Sequence, residues 1–201
     1  VKDQKLVYGL GALKNVGVEA MRLVVEARDD KPYATVFDFA RRVDLKRVGK
    51  RPLEMLARAG ACDQLDPNRR RIFASLDALT AYSAAIFEQC GSNQVSLFGE
   101  AGDDLPDPRL SPVDDWLPNE RLAEEEMAIG FYLSGHPLDD YAGALRARKD
   151  TMTLAELQKK AEEKQGASAL VGVVTSGIQE RKSARGTRYF RLNASDPTGQ
   201  L

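Results

Sequence analysis

A long polar segment between residues 91 and 115 limits how this chain can fold more than any other feature of its sequence. Glycine, serine, aspartate and proline dominate the segment, and these residues favour turns and loops over helices and strands. We interpret it as a linker between parts of the chain that have hydrophobic patterns of their own. The sequence therefore predicts four regions: a helical domain at 1–90, a loop at 91–115, a helical connector at 116–166 and the start of a β-domain at 167–201.

The composition is that of an ordinary folded protein. The chain has 201 residues, of which 43% are hydrophobic and 29% charged, so it has the length of one large or two small domains. Its formal net charge is −1, and any binding to nucleic acid must therefore come from local basic clusters. No apolar run approaches the roughly 20 residues that cross a bilayer, so we expect no membrane partner.

Cysteine and histidine are scarce. Cys62 and Cys90 lie far apart, which suits the reducing cytoplasm. With no CxxC pair and the single histidine His136, no zinc or other metal site is predicted. His136 has no carboxylate at a fixed spacing, and we expect it to be structural. The chain begins with Val1 and no signal-peptide pattern, which indicates a piece of a longer protein.

The first motif is a short apolar segment followed by a tight turn and a helix over residues 18–28. The turn resembles the hairpin of helix-hairpin-helix DNA-binding modules, in which the N–H groups that begin the second helix face a phosphate. Asn15 stands where those modules have their first glycine, and asparagine tolerates the left-handed backbone that the turn requires. The alternative is an ordinary packing element. The candidate DNA contacts of this hairpin are Lys14, Asn15, Val16 and Gly17.

Two basic clusters follow in the helical region, around residues 41–51 and 69–71. The second cluster begins a helix, where positive charge opposes the helix dipole; its placement therefore favours a contact with nucleic acid over a role in helix stability. Solvated surface is the alternative for both clusters. The candidate duplex contacts are Lys46, Arg47, Lys50, Arg51, Arg69 and Arg70.

Capping signals predict where several helices begin. Thr35 is expected to start a helix that runs to Arg42, and Pro52 lies in the first turn of the next one. Asn68 is expected to cap a helix that reaches about residue 89, with its buried face at Ile72, Phe73, Leu76 and Leu79. A later helix begins at residue 118, and its expected buried residues are Leu122, Met127 and Ile129.

After residue 166 the hydrophobic pattern changes to a period of two. It predicts strands over residues 169–178 and 188–194 and a turn at 196–199, too few strands to close a barrel. Basic residues beside aromatic ones on a strand are typical of proteins that bind single strands, but an ordinary meander with aromatic residues in its core has the same pattern. The candidate single-strand contacts are Arg181, Lys182, Arg185, Arg188 and Tyr189.

Two adjacent apolar residues, Leu97 and Phe98, stand inside the polar loop beside Gln94. No helical or strand pattern nearby would bury them. This arrangement indicates a peptide that docks into another protein.

Five strings together resemble the alpha-subunit family of bacterial DNA polymerase III, the C-family replicative polymerases. In chain order they are Tyr8–Lys14, Ala59–Asp63, Gln94–Gly99, Gly130–Leu138 and Ser195–Gln200. Their order matches the family, the resemblance spans essentially the whole chain, and the Gly130–Leu138 string is highly specific.

The resemblance implies a mainly α fold, a tandem helix-hairpin-helix region that binds duplex DNA, followed by the start of an OB-like β-barrel associated with single-stranded template. The peptide that binds the sliding clamp would be Gln94, Val95, Ser96, Leu97 and Phe98. The parent would be a cytoplasmic DNA-directed DNA polymerase, a nucleotidyltransferase that works with the sliding clamp and other holoenzyme subunits. Its catalytic aspartates and Mg²⁺ would lie upstream, so this segment would need no cofactor and be inactive alone. The competing interpretation is a non-catalytic helical interaction module with no nucleic-acid role.

Overall fold

The computed structural model describes residues 8–91, 105–163 and 168–201. It divides into two compact units, residues 1–132 and 133–201. Residues 116–132, which the sequence assigned to a connector, thus belong to the first unit. A mainly helical region followed by a small antiparallel sheet confirms the predicted fold class.

Over residues 8–91 and 105–132 the regular structure of the first unit is entirely helical. A 3₁₀ turn at Leu10–Ala12 precedes six helices: α1 (Val18–Arg28), α2 (Val36–Arg42), α3 (Leu45–Val48), α4 (Lys50–Arg58), α5 (Arg69–Gly91) and α6 (Pro118–Ile129).

The second unit mixes short helices and strands. In chain order it has a 3₁₀ turn at Asp139–Tyr141, then α7 (Ala142–Ala147), β1 (Thr151–Met152), α8 (Leu154–Glu163), β2 (Leu170–Val171), β3 (Val174–Lys182), β4 (Arg188–Asp196) and β5 (Gly199–Gln200).

The predicted capping residues do begin their helices. Thr35 Oγ1 accepts a hydrogen bond from the N–H of Asp38 at 3.0 Å, and Asn68 Oδ1 accepts one from the N–H of Arg71 at 2.8 Å. Each side chain satisfies a donor that a helix leaves without a carbonyl partner at its first turn. The local sequence therefore determines where α2 and α5 start.

The long helix α5 lies against α2, α3 and α4 and supplies the centre of the core. Ile72, Leu76 and Leu79 are buried as predicted, whereas Phe73 is half-buried. Helix α6 packs on α4; Ile129 is buried as predicted and Leu122 is half-buried, but Met127 is not buried. Met127 is 50% exposed and Glu125 is buried in its place, because Glu125 is paired with an arginine of α5.

A segment without helix or strand, residues 105–117, runs beside α5; we call it the strap. Leu105 and Leu110 pack against the core. The N–H of Ser111 donates to the buried Ser75 Oγ at 2.8 Å. This half of the predicted loop is therefore attached along a helix rather than a free linker.

The predicted strand at 169–178 is divided between two sheets. β2 pairs in parallel with β1, while β3, β4 and β5 form an antiparallel sheet in that order. Gly172 lies at the break, where a Cβ atom would come within 2.6 Å of a methyl carbon of Leu145. The chain passes close to α7 there, and continuous pairing ends.

Candidate nucleic-acid interface

The turn before α1 leaves the start of that helix open. Asn15 has a left-handed backbone with φ of 61°, as the motif requires. Gly17 is the N-cap, with φ of −79° and ψ of 147°, and contributes no side-chain hydrogen bond. The first three helical residues, from Val18 to Ala20, therefore direct N–H groups outward that helix geometry leaves without a carbonyl partner. Val18 is 58% exposed, so these donors are accessible to an anion.

A second open helix start lies between α3 and α4. Gly49 is the N-cap of α4, with φ of 93° and no side-chain hydrogen bond, a conformation that favours glycine. Lys50 and Arg51 are the first two residues of α4, and both are exposed. Their N–H groups and side chains place positive charge at one helix end, with the exposed Lys46 and Arg47 on the preceding α3.

The sequence prediction named the basic residues at this second helix start but not the glycine turn before them. The sequence signal for it was Gly49 directly before an amphipathic helix that begins with two basic residues. Lys50 Nζ also contacts Asp77 at 2.7 Å, but both side chains are more than half exposed and such a pair holds its charges weakly.

The start of α5, by contrast, is closed by side chains. The Asp66 carboxylate accepts from the N–H of Asn68 at 2.9 Å, and Asp115 accepts from the N–H of Arg70 at 3.1 Å. Burial alone would raise the pKa of Asp66, but hydrogen bonds from Arg71 and Asn68 outweigh it and lower that pKa. Because these N–H groups already donate to carboxylates of the chain, they are not available to a phosphate.

Arg69 has a structural role that its sequence context did not reveal. Its guanidinium is bound to Asp63 and to Glu125, each at 2.8 Å, and Arg69 is 7% exposed. Gly60, with φ of 76°, lies beneath it, where a Cβ atom would be 2.2 Å from a guanidinium nitrogen. The structure therefore does not support Arg69 as a DNA contact, because its charge is buried and paired. Arg70 beside it is exposed and stays a candidate.

Lys14 is also engaged within the first unit. Its Nζ donates to the Glu126 carbonyl at 3.2 Å, and its backbone N–H donates to the Ala128 carbonyl at 2.9 Å. The side chain is thus directed at the last turn of α6.

The five candidate single-strand contacts do not share one surface. Arg181 pairs across the sheet with Tyr189, and Lys182 pairs with Arg188. Cross-strand partners lie on the same face and successive residues alternate, so the two pairs lie on opposite faces of the β3–β4 hairpin. Arg185 lies in the connecting turn. All five are exposed, and Arg181 with Tyr189 is the pair that combines a cation and an aromatic ring.

His136 is buried at 7% exposure and held by hydrogen bonds on both ring nitrogens. Nδ1 accepts from the N–H of Leu138 at 3.1 Å, so in the neutral ring Nε2 carries the proton and donates to Ser195 Oγ, also at 3.1 Å. Burial lowers its pKa. This environment agrees with the structural role expected for His136.

The clamp peptide predicted at 94–98 lies outside the residues that the structure describes. Across 8–91, 105–163 and 168–201 there is no group of three or more His, Cys, Asp or Glu side chains placed to hold a metal, and no helix there is long and apolar enough to cross a membrane.

The sequence around the two open helix ends is similar to that of known proteins. A family model described as "Helix-hairpin-helix motif" matches residues 1–72, which include Gly17 and Gly49. The DNA polymerase III subunit alpha of Caulobacter vibrioides is 42% identical over 201 residues, which is all of this chain and 17% of that protein. The chain is a relative of the DNA polymerase III alpha subunits. Those of Vibrio cholerae and Thermus aquaticus are 32% and 35% identical over 98% and 100% of the chain.

The similarity covers one segment of a much larger protein. The chain spans about 17% of the length of the curated alpha subunits it matches. The matches run along the sequence of both structural units. Polymerisation and the binding of partners are properties of a whole alpha subunit, which is much larger than this chain.

Proposed function

We propose that this chain is the segment of a replicative polymerase alpha subunit that holds DNA and the sliding clamp. The first unit binds the phosphate backbone of duplex DNA. The peptide Gln94–Phe98 binds the clamp, and the β3–β4 hairpin contacts single-stranded template on the face that carries Arg181 and Tyr189. The parent is a cytoplasmic DNA-directed DNA polymerase, and its Mg²⁺-dependent chemistry belongs to another part of that protein.

The observation that carries the duplex-binding proposal is the open, glycine-capped start of α1 inside the stretch that matches the helix-hairpin-helix model. Free N–H groups and the positive end of the helix dipole attract a phosphate without reading base sequence. The start of α4 supplies a second such end with Lys50 and Arg51. Contacts of this kind suit a polymerase, which must hold DNA of any sequence.

The clamp proposal depends on the sequence of the peptide and the resemblance it carries. Leu97 and Phe98 would fill an apolar pocket while Gln94 hydrogen-bonds at its rim. Burial of two such side chains contributes roughly 3–6 kcal/mol before ordering costs, enough for micromolar binding by one peptide. Attachment to a protein that already holds DNA raises the effective affinity through local concentration.

The direct test is binding of the whole chain to a labelled duplex at several salt concentrations, followed by fluorescence anisotropy. Neutralised phosphates release counterions, so the logarithm of the binding constant should fall linearly with the logarithm of salt between about 50 and about 200 mM. A shuffled duplex should bind equally well, since the contacts are to phosphate. Absent or salt-independent binding would contradict the proposal and favour an interaction module without a nucleic-acid role.

A further inference from the structure

We propose that Lys14 is a positioning residue for the DNA-binding hairpin and that the last turn of α6 is a part of that binding module. The inference rests on the proposed duplex-binding function. It assigns a role to a helix that lies well outside residues 1–72, the stretch that the helix-hairpin-helix model covers.

The hairpin is joined to α6 at two atoms of one residue. The backbone N–H of Lys14 donates to the Ala128 carbonyl at 2.9 Å, and Lys14 Nζ donates to the Glu126 carbonyl at 3.2 Å. Lys14 directly precedes Asn15, whose left-handed φ makes the turn. Because both the backbone and the side chain of Lys14 are held, the start of the turn is fixed relative to α6.

The charge of Lys14 suits the end of α6 that it contacts. The helix dipole makes that end negative. The Glu126 carbonyl already accepts from the N–H of Gly130 at 2.8 Å, and its second lone pair can accept from the Lys14 ammonium. Helix α6 has no basic residue in its own last turn, and Lys14 supplies the cation from 112 residues earlier in the chain.

Gly130 provides the space for this contact. It ends α6 in a left-handed conformation with φ of 103°, and a Cβ atom there would lie 3.1 Å from Lys14 Cε. The glycine thus serves both as the C-cap and as the surface over which the lysine stem passes. One residue later, Phe131 meets Tyr8 edge to face with ring centroids 5.8 Å apart, which is a second contact between the two segments.

Lys14 therefore acts on DNA through the turn it fixes rather than by a phosphate contact of its own. With the turn held, the N–H groups of α1 present a constant arrangement to a phosphate, and little ordering is needed on binding. A loose turn would weaken duplex binding without removing any charge that pairs with DNA.

The test compares Lys14→Met, which keeps the stem but removes the donor, with Lys14→Gln, which keeps an N–H donor without charge. Duplex affinity and its salt dependence are measured for both variants and the wild-type chain by anisotropy, with a thermal melt for each. We expect Lys14→Met to lose at least about fivefold in affinity and Lys14→Gln clearly less, both with the wild-type salt slope. A lost phosphate contact would instead reduce that slope by about one.

Three results would overturn the inference: a slope reduced by about one charge, a Lys14→Met chain that binds as tightly as wild type, or equal losses in the two variants. The proposed duplex binding fails separately, since that failure would show as absent or salt-independent binding by the wild-type chain itself.

Discussion

The role of a basic residue depends on its partners in the fold, as three consecutive arginines show: Arg69, Arg70 and Arg71. Arg69 is buried against Asp63 and Glu125, Arg70 is exposed, and Arg71 is paired with Asp66 at 2.6 Å. The sequence indicated that this cluster does not serve the helix dipole. The structure shows that two of the three serve tertiary packing.

Replacing Arg69 with Met should destabilise the protein strongly. The side chain of Glu125 is 1% exposed, and loss of its cation leaves a buried carboxylate without that partner, which costs about 3–5 kcal/mol. Chemical denaturation with tryptophan fluorescence as the probe measures the free energy of unfolding. Arg70→Met is the matched control and should change that free energy by less than about 0.5 kcal/mol; similar effects of the two substitutions would show that Arg69 is not structural.

Asp196 should make stability depend on pH in the acid range. Burial alone would raise its pKa, but hydrogen bonds from Thr198, Leu154 and Gly199 outweigh it and lower the pKa below its ordinary value of 3.8. A depressed folded-state pKa gives stability that is present above the unfolded-state value and is lost as pH falls through the folded-state value.

The Asp196→Asn variant should therefore be less stable at neutral pH and should lose less further stability on acidification. Thermal unfolding followed by circular dichroism from about pH 7 to about pH 2.5 measures both effects. Asp140→Asn, at an exposed position, is the control. If the two variants had the same pH dependence, the hydrogen bonds to Asp196 would not be the source of the effect.

At the scale of elements, the ends of helices decide which parts of the first unit can bind an anion. α1 and α4 begin at glycines that offer no side-chain acceptor. α5 begins at Asn68 with Asp66 and Asp115 beside it. Backbone donors are therefore available at the starts of α1 and α4, although Pro52 leaves α4 only the N–H groups of Lys50 and Arg51, and they are occupied at the start of α5.

Helix starts were predictable because capping is local. Thr35 and Asn68 act on N–H groups three residues away, and a short sequence window contains both partners. The pairing of Arg69 with Glu125 spans 56 residues, and that of Lys14 with Glu126 spans 112. No periodicity encodes such contacts. The prediction that Met127 is buried was wrong for the same reason, because Glu125 is buried through its ion pair with Arg69, which is distant in sequence.

The strap should be loosened by Tyr82→Phe. The Tyr82 hydroxyl, on α5, accepts from Arg41 Nε at 2.7 Å and lies 3.1 Å from an Asp107 carboxylate oxygen. Removing it should cost about 1–2 kcal/mol and speed hydrogen exchange in residues 105–111, measured by mass spectrometry. Tyr33→Phe is the control, because its hydroxyl donates to Val24 away from the strap. Equal exchange of the strap in both variants would contradict this assignment.

At the scale of the whole molecule, the proposed contacts are distributed over separate parts of the chain: two open helix starts, a peptide at 94–98 and one face of a hairpin. Because the sequence predicts that the peptide belongs to the polar loop at 91–115, its function should be separable from DNA binding. The sequence predicted that separation through the contrast between an apolar pair and its polar surroundings.

The variant with both Leu97→Ala and Phe98→Ala should lose binding to a purified bacterial sliding clamp and keep the duplex affinity of the wild-type chain. Isothermal titration calorimetry measures the first and anisotropy the second. A chain with Leu117→Ala and Met127→Ala removes two exposed apolar side chains elsewhere and should bind the clamp normally. Unchanged clamp affinity in the peptide variant would rule out Leu97 and Phe98 as the anchors.

The proposed binding of a phosphate at the open start of α1 can be tested with the variant Gly17→Asp. A Cβ atom at Gly17 meets no atom within 4 Å, and its backbone already has an N-cap conformation. An aspartate there would accept hydrogen bonds from the first turn and stabilise the helix while it repels a phosphate. We predict an equal or higher melting temperature and at least about a tenfold loss of duplex affinity, about 1.4 kcal/mol. Gly143→Asp, an equal charge change at another open position, controls for net charge, and equal duplex affinity of the two variants would contradict the account.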